Sequence, residues 1–326
     1  MKKYYLIIAL ILTASLLPLF GTGQTEKTWP DPEKTITVVV PYSAGGGTDL
    51  VFRPLVEEMK KFTDANIMIS NISGAGSSQG TNEVLSHPAD GYTLLASGTH
   101  TVSATLQGLT DGYKQLEGIA SLNWDPFIIA VLKTKPWHSM KDLINAAKAN
   151  PGKISLGNAG MGGATGVASV GINLAFDQVF NVTPFKGGKN LRANVLGGHC
   201  DVGIFSQSEI LANWDKLRPL VILYNEHSRL PDLASIPTLK EAGFSNLAVP
   251  GGSFRAISVK KGTPEAVKKK LAEIVKKAYN TEAYKNFMLS KGLIPAYYEL
   301  KDLDAYFDKI VKAYTPILKK AGLLKK

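Results

Sequence analysis

The stretch Ile36–Phe62 constrains the fold more than any other part of the chain. Ile36–Val40 is an apolar, β-branched run, the pattern of a strand buried on both faces of a sheet. Pro41 ends it, and Tyr42, Ser43, Ala44, Gly45, Gly46, Gly47, Thr48 and Asp49 follow. Apolar residues then recur at Phe52, Leu55, Val56, Met59 and Phe62, the spacing of one helix face. Thr48 or Asp49 is placed to cap that helix. The unit is strand, glycine-rich loop, helix start. Free N–H groups at a helix start carry partial positive charge, and glycines let backbone close around a ligand. Such a loop can hold a carboxylate or phosphate without a basic side chain. A tight βα turn needing glycine for geometry alone is the other reading, and this stretch in isolation does not separate them.

With 326 residues the chain has room for about two domains. Its 44% hydrophobic and 20% charged content is that of a globular protein. Lys2 and Lys3, the apolar run Tyr4–Phe20 and the small residues Gly21-Thr22-Gly23 form the pattern of a cleaved export leader. Export to the periplasm with cleavage near Gly23 is expected. The formal charge is +10, or +8 without Lys2 and Lys3. Much of it lies late, at residues such as Lys268, Lys276, Lys319 and Lys320, mostly on the solvated faces of amphipathic helices. No aromatic interleaving or reading motif accompanies it, so nucleic acid is not an expected partner. Cys200 stands alone, which forbids an internal disulfide; its apolar context GGHCDVGIF fits a buried structural thiol.

The first unit is repeated. A strand over Ile67–Ile72 leads into Gly74-Ala75-Gly76-Ser77-Ser78-Gln79-Gly80 and a short helix over Thr81–Ser86. A strand over Tyr92–Ala96 leads into the polar loop Ser97-Gly98-Thr99-His100. This is the signature of an α/β domain with a mostly parallel sheet, in which ligands bind at strand carboxyl ends. After a strand at Phe127–Leu132, the segment Lys133–Pro136 reads as a domain crossing. A second α/β unit follows, with a helix over Ser139–Asn150 and a glycine-rich loop from Gly157 to Gly166. Its later strands are Val182–Phe185, Asp201–Phe205 and Leu220–Tyr224. Val249–Gly252 reads as the return crossing. The expected layout is a leader (1–23), a first domain (24–132 with 252–326) and a second domain (133–251). It is periplasmic-binding-protein-like, with two α/β domains around a ligand cleft that closes by hinge motion.

Gly76-Ser77-Ser78-Gln79-Gly80 is a literal G-x-S-x-G, the elbow of a serine hydrolase. None of His87, His100, His138, His199 and His227 lies in a familiar partner motif, and 31 glycines make the pattern easy to reach by chance. A hydrolase using Ser78 is the enzymatic alternative; no catalytic residue is assigned. Gly74, Gly76 and Gly80 are one residue too widely spaced for a dinucleotide fingerprint, and Gly187-Gly188-Lys189-Asn190 lacks the Ser or Thr of a P-loop. No local histidine pair suggests a metal, and no cofactor is expected.

Several motifs together match a known family. Pro41-Tyr42-Ser43-Ala44-Gly45-Gly46-Gly47-Thr48-Asp49 with Arg53, Gly74-Ala75-Gly76, Asp90-Gly91-Tyr92-Thr93-Leu94, Pro184-Phe185-Lys186-Gly187-Gly188, Ile236–Gly243 and Gly262-Thr263-Pro264 occur in order. The chain resembles the Bug family, the extracytoplasmic solute receptors of tripartite tricarboxylate transporters. The resemblance implies a non-enzymatic, monomeric receptor that holds a small organic carboxylate between two lobes and delivers it to membrane permease subunits. A sensory receptor without transport is the remaining alternative. The resemblance also implies capture largely through backbone amides and ordered water, by Tyr42–Asp49 and by Asn158, Gly160, Met161, Gly162, Gly163 and Thr165. Tyr42, Met161 and Phe185 would line an apolar middle, or else be buried in packing. Ser97, Thr99 and Ser206, at strand ends, are further candidates, with plain capping as the other reading. The sequence departs from the family where Asn158 and Gly163 replace small hydroxyl residues and Gly166 replaces a frequent histidine.

Overall fold

The computed structural model describes residues 29–224 and 230–325. The expected leader and His227 lie outside the described residues. In chain order the elements are β1 (Thr35–Val40), α1 (Gly47–Met59), β2 (Asn66–Asn71), α2 (Ser78–Ser86), β3 (Thr93–Gly98), α3 (Thr99–Leu106), α4 (Gly112–Gln115) and β4 (Leu116–Leu132). Next come α5 (Met140–Ala149), β5 (Ser155–Asn158), α6 (Ala164–Ala175), β6 (Asn181–Pro184), α7 (Gly188–Leu196), β7 (Val202–Ser206), α8 (Gln207–Leu211) and β8 (Leu217–Ile222). The chain closes with β9 (Gly252–Lys260), α9 (Glu265–Tyr279), α10 (Glu282–Ser290), β10 (Ile294–Pro295) and α11 (Leu300–Lys320).

The strands join in the order β2-β1-β3-β9-β4-β7-β5-β6, with β8 and β10 also on β4. The two wings are parallel, β1 with β2 and β3 on one side and β5 with β6 and β7 on the other. The centre is antiparallel: β9 pairs with both β3 and β4, and β4 pairs with β7 and β8. The sheet is therefore mixed rather than mostly parallel. The antiparallel pairings come from β9, a return strand that enters between the wings, and from β4, which runs against β7, β8, β9 and β10.

The strand expected at Phe127–Leu132 is only the second half of β4. Leu116 to Pro126 pairs with β9, and Phe127 to Leu132 pairs with β7 and β8. The change of partner falls at Pro126, which has no N–H to give to a ladder. Register shifts at Gly118/Ala120 and Ser121/Asn123 mark bulges upstream, and bulges increase local twist. One strand thus serves both wings.

Each wing has its own core. Val38, Val40, Phe52, Leu55 and Met59 pack with Ile257, Leu271 and Val275 under the first wing. Burying such side chains contributes about 1.5–3 kcal/mol each, which carries α1 through Pro54 in its interior at a cost of about 3 kcal/mol. Ile129, Leu143, Leu156, Val167 and Ile204 pack under the second wing. Phe307, Ile310, Tyr314 and Leu318 of α11 are buried in this second core, although α11 follows the return crossing. Cys200 is buried, as its context suggests. Lys268 departs from the solvated lysine face: it is buried and paired with Glu117 and Glu265.

Candidate functional site

α1 starts at Gly47, earlier than a cap at Thr48 or Asp49 would place it. Gly46 is the cap, in extended conformation and with no side-chain hydrogen bond. Asp49, in the first turn, reaches back instead. Its Oδ2 accepts from the Gly45 N–H at 2.9 Å and its Oδ1 from Arg53 Nη2 at 2.6 Å and Asn71 Nδ2 at 3.0 Å. Asn71 Nδ2 also donates to the Tyr42 carbonyl at 3.0 Å. Burial pushes the Asp49 carboxyl pKa up, but Arg53, the Gly45 N–H and Asn71 outweigh it and hold it below the usual value. Gly45 turns the loop at φ +77, where a side chain would be strained.

The second loop reaches the same end with neutral groups. Buried Asn158 accepts the Gly160 N–H at 2.9 Å and donates to Ser169 Oγ at 3.0 Å. Thr165 Oγ1 accepts the Ala159 N–H at 3.0 Å. Gly163 caps α6, again with no side-chain hydrogen bond. A Cβ on Gly166 would strike the carbonyl oxygens of Gly160 and Met161, so the loop folds over this position and leaves a histidine no room.

These two helix starts open on one cleft. It is lined by Tyr42, Ser43, Gly46, Gly47 and Thr48 from the first loop. Ala159, Ala164 and Thr165 come from the second, and Gly187, Gly188 and Lys189 from the start of α7. Phe127, Ser206, Glu209, Ser253, Arg255 and His100 complete the lining. The α7 start already faces a carboxylate: a Cβ on Gly188 would strike Glu209 Oε1. Glu209 Oε2 accepts from the Ser206 N–H at 3.1 Å and Ser206 Oγ at 3.2 Å, and Arg192 lies 3.4 Å from Oε1. Burial nevertheless raises the Glu209 pKa.

His100 donates from Nε2 to the Ala96 carbonyl at 3.1 Å, since a carbonyl only accepts. Burial pushes its pKa down to about 3, so the ring is neutral and Nδ1 is left as an acceptor. Its ring meets Tyr42 edge-on at 5.2 Å between centroids.

Of the residues singled out from sequence, Tyr42, Ser43, Gly46, Gly47, Thr48, Thr165 and Ser206 meet in this cleft. Ala44 and Gly45 are exposed at the loop tip. Gly160, Met161, Gly162 and Phe185 line a neighbouring hollow on the other side of Tyr42. There the Gly76 and Gly162 backbones touch, so glycine loops of the two wings pack on each other. Asp49, Asn158 and Gly163 lie behind the lining, shaping the loops. Ser97 and Thr99 are buried in packing: Ser97 Oγ donates to the Ala256 carbonyl at 3.0 Å and Thr99 Oγ1 accepts the Phe254 N–H at 2.8 Å. The polar loop expected there is the end of β3 running straight into α3, with Gly98 at φ +151 taking the turn.

Arg255, Glu209, His100 and Ser253 were not foreseen in the site. Arg255 was visible as a lone charge inside the apolar run Phe254–Val259, Glu209 as the end of the capping-box pattern Ser206-Gln207-Ser208-Glu209, and His100 as part of the polar loop after β3; Ser253 carries no local signal. Ser78 Oγ donates to the Ala75 carbonyl at 3.0 Å and to no histidine among the described residues. No group of three or more His, Cys, Asp or Glu among the described residues could hold a metal ion. No helix among them is long and apolar enough to cross a membrane.

Comparison with known proteins places this architecture. Residues 51–323 match the family model described as the tripartite tricarboxylate transporter family receptor. A protein from the gbd 5′ region of Cupriavidus necator is 29% identical over 303 residues, covering 90% of this chain and 89% of that one. The periplasmic binding protein BugD is similar in structure, with a TM-score of 0.82 and 26% identity over 90% of this chain and all of that one. Rhodopseudomonas palustris Rpa4515, solved with adipate, shares the fold at a TM-score of 0.81 and 21% identity, covering 90% of this chain and 98% of that one. With its family model matched over most of its length and its fold that of periplasmic binding proteins, the chain belongs to the tripartite tricarboxylate transporter receptor family of Bug-type solute-binding proteins.

Proposed function

We propose that this chain is an exported, monomeric receptor that captures a small organic carboxylate in the cleft described above and hands it to the permease subunits of a tripartite transporter. One observation carries the reading. The starts of α1 and α6, from opposite wings of the sheet, open on the same cleft with glycine caps and no side-chain cap. The first N–H groups of a helix have no partner within it, and here glycine leaves them bare. A carboxylate bridging the two starts would draw the wings together. The lobes are then residues 29–126 with 252–299, and residues 127–224 and 230–251 with α11 packed on them, hinged within β4. The leader is cleaved near Gly23 for the periplasm. The reading assigns no catalytic residue, in keeping with the Ser78 hydroxyl bound to a carbonyl. It takes the charge of the ligand from the site, and its carbon skeleton from experiment.

The test is a thermal-shift panel on protein stripped of ligand by unfolding and refolding. Acetate, succinate, malate, adipate and citrate are set beside their neutral amides. An acid at about 100 times Kd adds about 2.7 kcal/mol of stability, readily seen as a raised melting point. A shift with an acid and none with its amide is expected. No shift with any acid would overturn the reading.

A further inference from the structure

We propose that Arg255 is a ligand-contacting residue of this cleft, whose guanidinium shares the carboxylate with the start of α1 and sets the selection for charge. The inference rests on the reading of the cleft as a carboxylate site, and departs from capture by backbone and water alone. Arg255 projects from β9 and is only 4% exposed, yet it lines the cleft. Among the described residues the sole hydrogen bond of its guanidinium is from Nη1 to Asp125 Oδ2, at 3.0 Å. Nε is buried and has no partner there. Nη2 lies 2.8 Å from where a Cβ on Gly47 would stand. The guanidinium edge and the first turn of α1 are therefore in contact, close enough for one anion to meet both.

A guanidinium kept only to balance Asp125 would turn its donors to that carboxylate, since both forks match for two parallel bonds. Here Asp125 takes one. Its Oδ2 also accepts Ser208 Oγ at 3.1 Å and its Oδ1 is buried with no partner among the described residues, so the rest of the fork is not spent on this carboxylate. A buried cation with unused donors at the rim of a cleft is costly unless something completes it. The group that completes it must accept hydrogen bonds and carry negative charge. Glu209, also in the lining, already takes bonds from Ser206 and an ion pair from Arg192. Asp125 and Ser208 act as positioning residues: they fix Arg255 with its free edge toward Gly47.

Calorimetric titration of acetate, succinate, malate, adipate and citrate into wild type and Arg255→Gln tests this. For any acid that binds wild type, Arg255→Gln is expected to weaken binding about 10- to 100-fold, the range of a lost hydrogen bond to a charged group. Arg255→Lys should recover part of it. The dependence of Kd on NaCl between about 20 and about 200 mM should flatten in Arg255→Gln and not in Arg255→Lys. A merely structural role would not produce that difference. Arg255→Gln leaves Asp125 bare, so the pair Asp125→Asn with Arg255→Gln, which removes both charges, serves if the single variant does not fold. Unchanged affinity in a folded glutamine variant overturns this inference and leaves the carboxylate reading standing. Binding of no acid by wild type overturns both.

Discussion

The two glycine loops arrive at the same device by different chemistry. Each ends in a glycine-capped helix whose first residues line the cleft. The first loop is tied by an ionised carboxylate, Asp49, to a backbone N–H, an arginine and an amide. The second is tied by Asn158 and Thr165, which carry no charge, and by a crossing of backbone over Gly166. Charge-assisted bonds are roughly twice as strong as neutral ones. The first loop is thus held by electrostatics and the second by shape. Shape leaves less tolerance for a larger side chain, and charge leaves less tolerance for a change of pH.

The sharpest way to break the comparison is to put a histidine back at Gly166. Its Cβ would meet two backbone carbonyls that cannot swing aside as a side chain would. Overpacking of this kind costs about 1–3 kcal/mol and sometimes more, and here it falls on the loop that caps α6. Gly166→His should lower stability in urea melts by about 3 kcal/mol and abolish capture of any acid that shifts wild type. A stable, binding-competent Gly166→His would mean that the second loop is not held by shape.

What the sequence reveals follows the same division. Strand–loop–helix units are local, so periodicity and glycine spacing place β1, α1, β2 and α5 within a few residues. The cap of α1 lies slightly earlier than polar side chains suggest, because Gly46 needs no side chain to turn the chain. β4 was half hidden, since its partner changes at Pro126 without any break in its extended course. The floor of the cleft was hidden for a stronger reason. Arg255 meets Gly47 across about two hundred residues of chain, and Glu209 meets Gly188 only because β7 lies beside β5. No spacing rule brings such residues together. Ser97 and Thr99 show the converse: small hydroxyl residues at a strand end suit a ligand in pattern, and β9 lies over them instead.

The next test sets the two ties against each other. Asp49→Ala removes the acceptor for the Gly45 N–H, Arg53 and Asn71 together. Bonds to a charged group are worth about 1.5–3 kcal/mol, and Arg53 is half exposed, so its share is screened. A loss of about 2 kcal/mol is expected. Asn158→Ala removes neutral bonds worth about 1 kcal/mol. Urea melts of the two variants should therefore rank them in that order. Stability owed to Asp49 is complete above the ordinary carboxylate value and lost only as pH falls below it, because its pKa is lowered in the folded state. An equal loss in the two variants at pH 7 would show that charge adds nothing to the first loop.

The smallest effect separates the wings by sign. His100, against Tyr42 of the first loop, is neutral in the folded protein down to about pH 3. The unfolded chain takes up that proton below about pH 6.5, so acid favours unfolding there. Between about pH 6.5 and about pH 5.5 this costs about 1 kcal/mol. Glu209, in the second wing, is displaced the other way: its folded pKa is raised by burial. Above the ordinary glutamate value the folded state keeps that proton longer than the unfolded chain, so acid favours folding until both forms are protonated. The two groups therefore act with opposite sign. Urea melts at half-unit steps of pH should show stability falling gently toward acid in wild type. The fall should disappear or reverse in His100→Gln and steepen in Glu209→Gln. Equal slopes in all three proteins would mean that neither group changes its protonation on folding, and that the two sides of the cleft do not differ in their response to pH.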